Sequence, residues 1–234
     1  MQNDSRSKKA LCLEDLRQKI LTQVLEPGLA LDETEISESY GISRPPLREV
    51  LRQLAGEGYV LLVENRGAQV APMSHKTLRN FFVAAPMIYA ATARLAAENA
   101  NAQQIKRLQE CQRAFRLALK SGDAAERALS NERFHSIIGE MADNEFLMPS
   151  LRRLLIDHTR IGMTFYNSRK VALAPQREIA AEQHDRLIEV IEAGDADAAA
   201  DLAVAHWELS RAWIESFVTP ESISIPLGQA PGAR

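Results

Sequence analysis

The chain is sparing with cysteine and has no long apolar run, and each lack removes a class of protein. Cys12 and Cys111 are the two cysteines in 234 residues and fall in separate regions, which argues against a disulfide framework or a cysteine metal site. No stretch is apolar enough to cross a bilayer. Met1 to Lys9 is polar with no apolar segment behind it, so no secretory signal is expected and a reduced, bacterial-type cytoplasm is the expected location. A surplus of positive charge is missing too: the formal charge is −3, and residues 1–72 hold nine Lys/Arg against eleven Asp/Glu. Any affinity for a polyanion must therefore come from local clusters rather than a global field. His-Glu-x-x-His, Gly-x-Ser-x-Gly and a glycine-rich phosphate loop are all absent, as are repeats. At 46% hydrophobic, the chain can still bury a sizeable core, and its length suits two domains.

One such local cluster stands at Ser43-Arg44-Pro45-Pro46-Leu47-Arg48-Glu49-Val50. Ser43 is a good N-cap, and Pro45 and Pro46 fall in the first turn, where proline costs little. Arg44, Arg48 and Arg52 recur at i, i+4 and i+8 and share one face, while Leu47, Val50, Leu51 and Leu54 take the other. An arginine fork fits both the O6/N7 edge of guanine and a phosphate, so this pattern suits a helix that enters the major groove.

The flanking sequence supports that use. Apolar residues at helical spacing (Leu13, Leu16, Ile20, Leu21, Val24) predict a helix over Leu13 to Leu25, stopped by Glu26-Pro27-Gly28. A second helix is expected from Glu33 to Tyr40, capped by Asp32 and closed by Gly41. The turn to Ser43 has helix-turn-helix spacing. Gly56 is the expected end of the arginine helix. Tyr59 to Val63 and Ala68 to Val70 read as strands around Glu64-Asn65-Arg66-Gly67, a hairpin with Arg66 beside Gly67 at its tip. The sum is a winged helix over residues 1–72.

Beyond Pro72-Met73-Ser74 the pattern is helical to Val218, with turns at Asn99-Ala100-Asn101, Ser121-Gly122-Asp123, Asp143-Asn144, Val171 to Pro175 and Gly194-Asp195. About six helices and no strand are expected over residues 73–218, forming an antiparallel bundle, with a loose tail from Thr219 to Arg234. Asn131 and His135 share an inward face with Ala128, Ile138 and Ala142. His184 lies with Ala181, Leu187, Ile188 and Ile191, and His206 with Leu202, Leu209 and Trp213. At about 1.5 Å per residue, His184 and His206 sit roughly 15 and 18 Å from the Gly194-Asp195 turn, nearly level across a helical hairpin, so they can share one metal ion. Neutral imidazoles suit Zn²⁺ or Ni²⁺, with the Asn131 amide oxygen as a weaker ligand. His158 falls on the stripe of Leu147, Leu151, Leu154, Ile161 and Phe165, and either adds a polar group to the pocket or is a hydrogen-bonded core residue. Arg160 is expected on the surface.

From about Asp15 to Ala71 the chain resembles the GntR-type transcription regulators, through Pro27-Gly28, Ser43-Arg44-Pro45-Pro46-Leu47-Arg48-Glu49 and Asn65-Arg66-Gly67-Ala68-Gln69-Val70. Pro45 stands where the family usually has threonine. Residues 74 to about 215 resemble the helical effector domain of the FCD (FadR-like) subfamily, which often binds a metal through Asp-x-x-x-His and two later histidines. The matching positions are Asn131, His135, His184 and His206, with asparagine replacing the usual aspartate. Where family members commonly carry an arginine and a glutamate in the first helix of that domain, this chain has Ala85 and Tyr89; Tyr89 and Thr92 offer neutral hydroxyls instead.

The resemblance implies a homodimeric, sequence-specific regulator of a palindromic double-stranded DNA operator, with Ser43, Arg44, Pro45, Arg48, Arg52, Arg66 and Gly67 at the duplex. A divalent metal and a small organic acid are the expected ligands of the bundle. Two winged helices about 34–36 Å apart would read successive half-sites, and the effector would act by population shift. The alternatives are a metalloenzyme built on Glu132 and His135, which lacks the second Glu-x-x-His that a di-iron bundle needs, and a constitutive DNA-binding protein with a structural metal.

Overall fold

The structure is a computed structural model that describes residues 2–64, 66–166 and 174–218. Asn65, most of the expected turn at Val171 to Pro175, the expected tail from Thr219 to Arg234 and the side chains of Phe165 and Trp213 lie outside the described residues.

Helix α1 spans Gln2–Leu21, beginning well before the apolar stripe that predicted it and stopping short of Leu25. It ends because Gln23 takes a left-handed conformation (φ 58°) and Thr22 Oγ1 donates to the Gln18 carbonyl at 2.7 Å. Val24 is accordingly exposed. Strand β1, Ala30–Leu31, is too short to leave a pattern and was not expected. Helix α2 runs Glu33–Tyr40, with the Asp32 carboxylate accepting from the Thr34 and Glu35 amides and Gly41 left-handed behind it, as the sequence predicts.

Helix α3, Arg44–Glu57, buries Leu47, Val50, Leu51 and Leu54. It passes through Gly56 and stops at Gly58, whose left-handed backbone (φ 93°) lets its amide reach the Leu54 and Ala55 carbonyls. A helix ends where such a cap forms, not at the first glycine. Strands β2, Val60–Val63, and β3, Gly67–Val70, pair antiparallel with Val60 opposite Val70 and Val63 opposite Gly67. β1 adds to the far side of β3, so the wing is rooted in three strands rather than a bare hairpin. Cys12, Leu16, Ile20, Leu47, Leu51, Leu54 and Val70 lie in one core.

Among the described residues, six helices follow: α4 His75–Asn99, α5 Ala102–Ser121, α6 Ala124–Ala142, α7 Leu147–Tyr166, α8 Ala174–Glu192 and α9 Ala196–Val218. Their ends carry the expected turn chemistry, including an Asn101/Gln104 capping box on α5 and the Asp123 cap on α6. α4 packs against α6, α7, α8 and α9 with an alanine-rich stripe (Ala85, Ala93, Ala96) in the second core. Small side chains let the surrounding helices close around it.

Arg160 corrects a sequence expectation. Its side chain is fully buried, pairs with Asp157 at 3.3 Å and donates to the Ala71 carbonyl in the segment that joins the two cores. The Arg160 backbone carbonyl in turn accepts from Gln23 at the end of α1. Spacing alone placed this arginine at the surface, but a guanidinium with an acidic partner one turn away and an inter-domain carbonyl in reach can be buried.

Candidate DNA interface and histidine pocket

The arginine stripe faces solvent. Arg44, Arg48 and Arg52 are exposed on α3, opposite its buried leucines, and Arg66 is exposed at the wing tip, where Gly67 takes φ 77°. Arg48 lies 3.7 Å from Glu33, and Lys9 of α1 pairs with the neighbouring Glu49 at 2.5 Å, which braces the helix from behind. Ser43 holds the N-cap position, but its hydroxyl makes no capping hydrogen bond. A capping oxygen accepts from the second or third helical amide, and here those residues are Pro45 and Pro46, which have none.

In the bundle, α6, α8 and α9 each deliver one histidine to a shared point. His135, His184 and His206 are buried, and one ring nitrogen from each lies within 4.8 Å of the others. The turn arithmetic for the α8–α9 hairpin holds: His184 Nε2 and His206 Nε2 are 3.2 Å apart. Two glutamines that spacing did not single out orient these rings. Gln112 Oε1 lies 3.1 Å from His184 Nδ1, and Gln183 Oε1 lies 2.9 Å from His206 Nδ1. Gln112 is anchored through its Nε2, so its oxygen accepts, His184 Nδ1 carries the proton and His184 Nε2 presents a lone pair; with the Gln183 oxygen accepting, His206 takes the same tautomer. Gln183, next to His184, could have been found from its position; Gln112, on α5, had no signal.

In those tautomers two lone pairs face each other, an arrangement that a cation, or a proton shared between them, relieves. Zn–N bonds of about 2.0–2.1 Å give a tetrahedral edge of about 3.3 Å, close to the observed separation. His135 Nε2 is buried without a hydrogen-bond partner among the described residues. Burial, before any neighbouring charge, holds His135 and His184 well below the ordinary imidazole range and lowers His206 to about 3, so all three are neutral donors. The residues fit a divalent ion. Asn131, one turn before His135, is also buried.

His158 Nδ1 and the Tyr89 hydroxyl are 2.5 Å apart, and burial lowers the His158 pKa to about 4. Thr92 Oγ1 donates to the Ile88 carbonyl at 2.6 Å. Glu132 faces away from the histidines, into the cleft between the cores lined by Arg17, Tyr59 and Arg153, so it does not join His135 in a carboxylate-histidine site.

An arginine-striped winged helix fastened to a helical bundle with a buried polar pocket defines a DNA-binding transcription regulator of the effector-domain kind. The "Bacterial regulatory proteins, gntR family" pattern matches residues 12–70, and the FCD domain pattern matches residues 84–209. The chain belongs to the GntR family, with an FCD effector-binding domain, and its relatives are regulators rather than enzymes. It is 25% identical over 183 residues to the HTH-type transcriptional repressor RspR of Escherichia coli K12, covering 78% of each chain. It is 27% identical over 229 residues to a protein of the same organism provisionally named as the L-lactate dehydrogenase operon regulatory protein, covering 89% of this chain and 86% of that one. The solved structure of E. coli McbR/YncC shares the fold at a TM-score of 0.77 and 18% identity, over 91% of this chain and 99% of that one. Among the described residues, no helix is long and apolar enough to cross a membrane.

Proposed function

We propose that this regulator works as a homodimer on a palindromic operator, and that the state of the histidine pocket sets its operator affinity. His135, His184 and His206 hold one divalent ion, Zn²⁺ or Ni²⁺, and Asn131 is the neutral fourth ligand. What carries the reading is the pair of acceptor nitrogens 3.2 Å apart beside the unpartnered Nε2 of His135. When bound, the ion supplies a cation in a buried site. Gln112 and Gln183 keep two imidazoles in the ligating tautomer, and the surrounding apolar residues exclude bulk water.

At the DNA, Arg48 and Arg44 read base edges from the start of α3, while Arg52, Arg66 and the Ser43 hydroxyl serve phosphates, with Pro45 and Gly67 shaping the backbone there. A second reading gives the pocket a small carboxylate that completes the ion's coordination. The L-lactate dehydrogenase operon in one relative's name favours it, since that enzyme handles a small hydroxy acid.

Metal analysis of the purified protein tests the first half. About one ion per chain is expected, lost in His184→Ala; a metal-free wild type that also ignores added Zn²⁺ would overturn it. For the second half, Arg48→Ala should weaken binding to a selected operator by about 10- to 100-fold and binding to random DNA far less. Equal losses would reduce Arg48 to a phosphate contact.

A further inference from the structure

Glu132 belongs to no histidine site. It is partly buried and lines the cleft between the winged helix and the bundle. Among the described residues, no ion pair or hydrogen bond engages its carboxylate. Two cations of the same cleft are committed elsewhere. Arg17 of α1 donates through Nε to Glu57 at 2.9 Å and lies 3.4 Å from Glu14, and Arg153 of α7 pairs with Asp157 at 2.8 Å. A carboxylate drawn partly out of water costs stability unless a counter-charge or donors meet it, and here the fold provides neither.

There is room for a ligand to provide it. The cleft measures about 910 Å³, within the roughly 300–1,000 Å³ of small-molecule sites. Tyr59, from the winged helix, lines it as well, and burial and then the charge on Glu132 raise the Tyr59 pKa, so the carboxylate acts across the boundary between the two cores. An aromatic ring attracts an ammonium group, and a phenolic oxygen can accept from one. Arg152 of α7 is exposed where it lines the cleft and has no ion pair among the described residues.

We infer that this cleft is a second ligand site, separate from the histidine pocket, and that it takes a small molecule with a primary ammonium group held by the Glu132 carboxylate and Tyr59. The inference goes beyond the reading of the pocket and needs no ion there. The ammonium is the counter-charge that Glu132 lacks. Because Glu132 comes from the bundle and Tyr59 from the winged helix, an occupant that touches both favours one setting of the winged helix over others. Its difference in affinity between those settings limits the shift in operator binding. The ammonium group can belong to a plain amine or to an amino acid, and in the second case Arg152 is the cation for its carboxylate.

The test uses the full chain and a duplex selected from a random library by the wild-type protein. Thermal melting follows ligand binding, and fluorescence anisotropy follows operator affinity. The probes are millimolar putrescine and L-ornithine, each matched with NaCl for ionic strength. At least one should raise the melting temperature by a few degrees and change operator affinity by about fivefold or more, and Glu132→Gln should abolish both effects. Without ligand, that variant should melt no lower than the wild type, because it sheds an unpaired charge. Arg152→Ala separates the two sources: a weakened response to ornithine alone indicates an amino acid, and an unchanged response to both indicates a plain amine. The inference is overturned if neither probe binds, if Glu132→Gln responds as the wild type does, or if melting rises while operator affinity stays the same. None of these outcomes touches the histidine pocket, whose test is the metal content.

Discussion

Gln112 Oε1 faces His184 Nδ1 at 3.1 Å, and the glutamine is not free to flip, because its Nε2 already donates to the Ala181 carbonyl and to Asp185 Oδ1, both at 2.8 Å. Asp185 is in turn held by Arg116. A network that begins with an ion pair at the edge of the bundle thus fixes the tautomer of a fully buried imidazole.

Gln112→Ala should therefore weaken Zn²⁺ binding by about 10- to 100-fold, the usual cost of losing an outer hydrogen bond to a ligating histidine. Competition against a chelating dye measures it, with circular dichroism to show that the apo variant still folds. An unchanged affinity would mean that packing alone orients His184.

The two N-caps of the helix-turn-helix should behave differently. Asp32→Ala removes an acceptor of two backbone amides and should lower the urea midpoint, whereas Ser43→Ala, which removes no capping bond, should leave it unchanged. The Glu35 and then the Thr34 amide depress the Asp32 pKa. Its contribution is thus present above the ordinary aspartate range and lost as pH falls through the lowered value, so the gap between wild type and Asp32→Ala should close in acid.

Gly58→Ala and Gly56→Ala should have opposite signs. At Gly58 the backbone is left-handed, and a methyl group would sit 2.5 Å from Arg153 Cδ, so a loss of about 1–2 kcal/mol is expected. At Gly56 nothing lies within 4 Å, and replacing a helical glycine should add about 0.5–1 kcal/mol. Chemical denaturation of the two variants checks both values.

Arg160→Met should cost about 3 kcal/mol, because it takes one partner from a buried ion pair and the donor from the Ala71 carbonyl. The loss sits at the low end for such changes, since Arg153 still holds Asp157 at 2.8 Å. Alongside a lower melting temperature, limited proteolysis near Pro72 should quicken. A variant as stable and as resistant as the wild type would show that the junction is held elsewhere.

Local signals were legible where local chemistry decides. Asp32 and Gly41 bracket α2 because capping depends on nearby residues, and the level placement of His184 and His206 follows from helical rise across a short turn. β1 was invisible because two residues carry no periodicity. The end of α3 was misplaced because Gly56 and Gly58 read alike until the backbone shows which is left-handed. Arg160 and Gln112 were missed for one shared reason: their roles are set by partners 89 and 72 residues away, a distance that no helical wheel spans.

Along α7, His158 and Arg160 are two positions apart, so about 200° of turn separates them around the axis. One meets Tyr89 in the pocket and the other grips the joint to the winged helix. The helix thus resembles a crankshaft with two throws on opposite sides of one axle. Any roll that eases the Tyr89 side must pull on Ala71, so what happens around the imidazoles can reach the reading head without a chain of intermediaries.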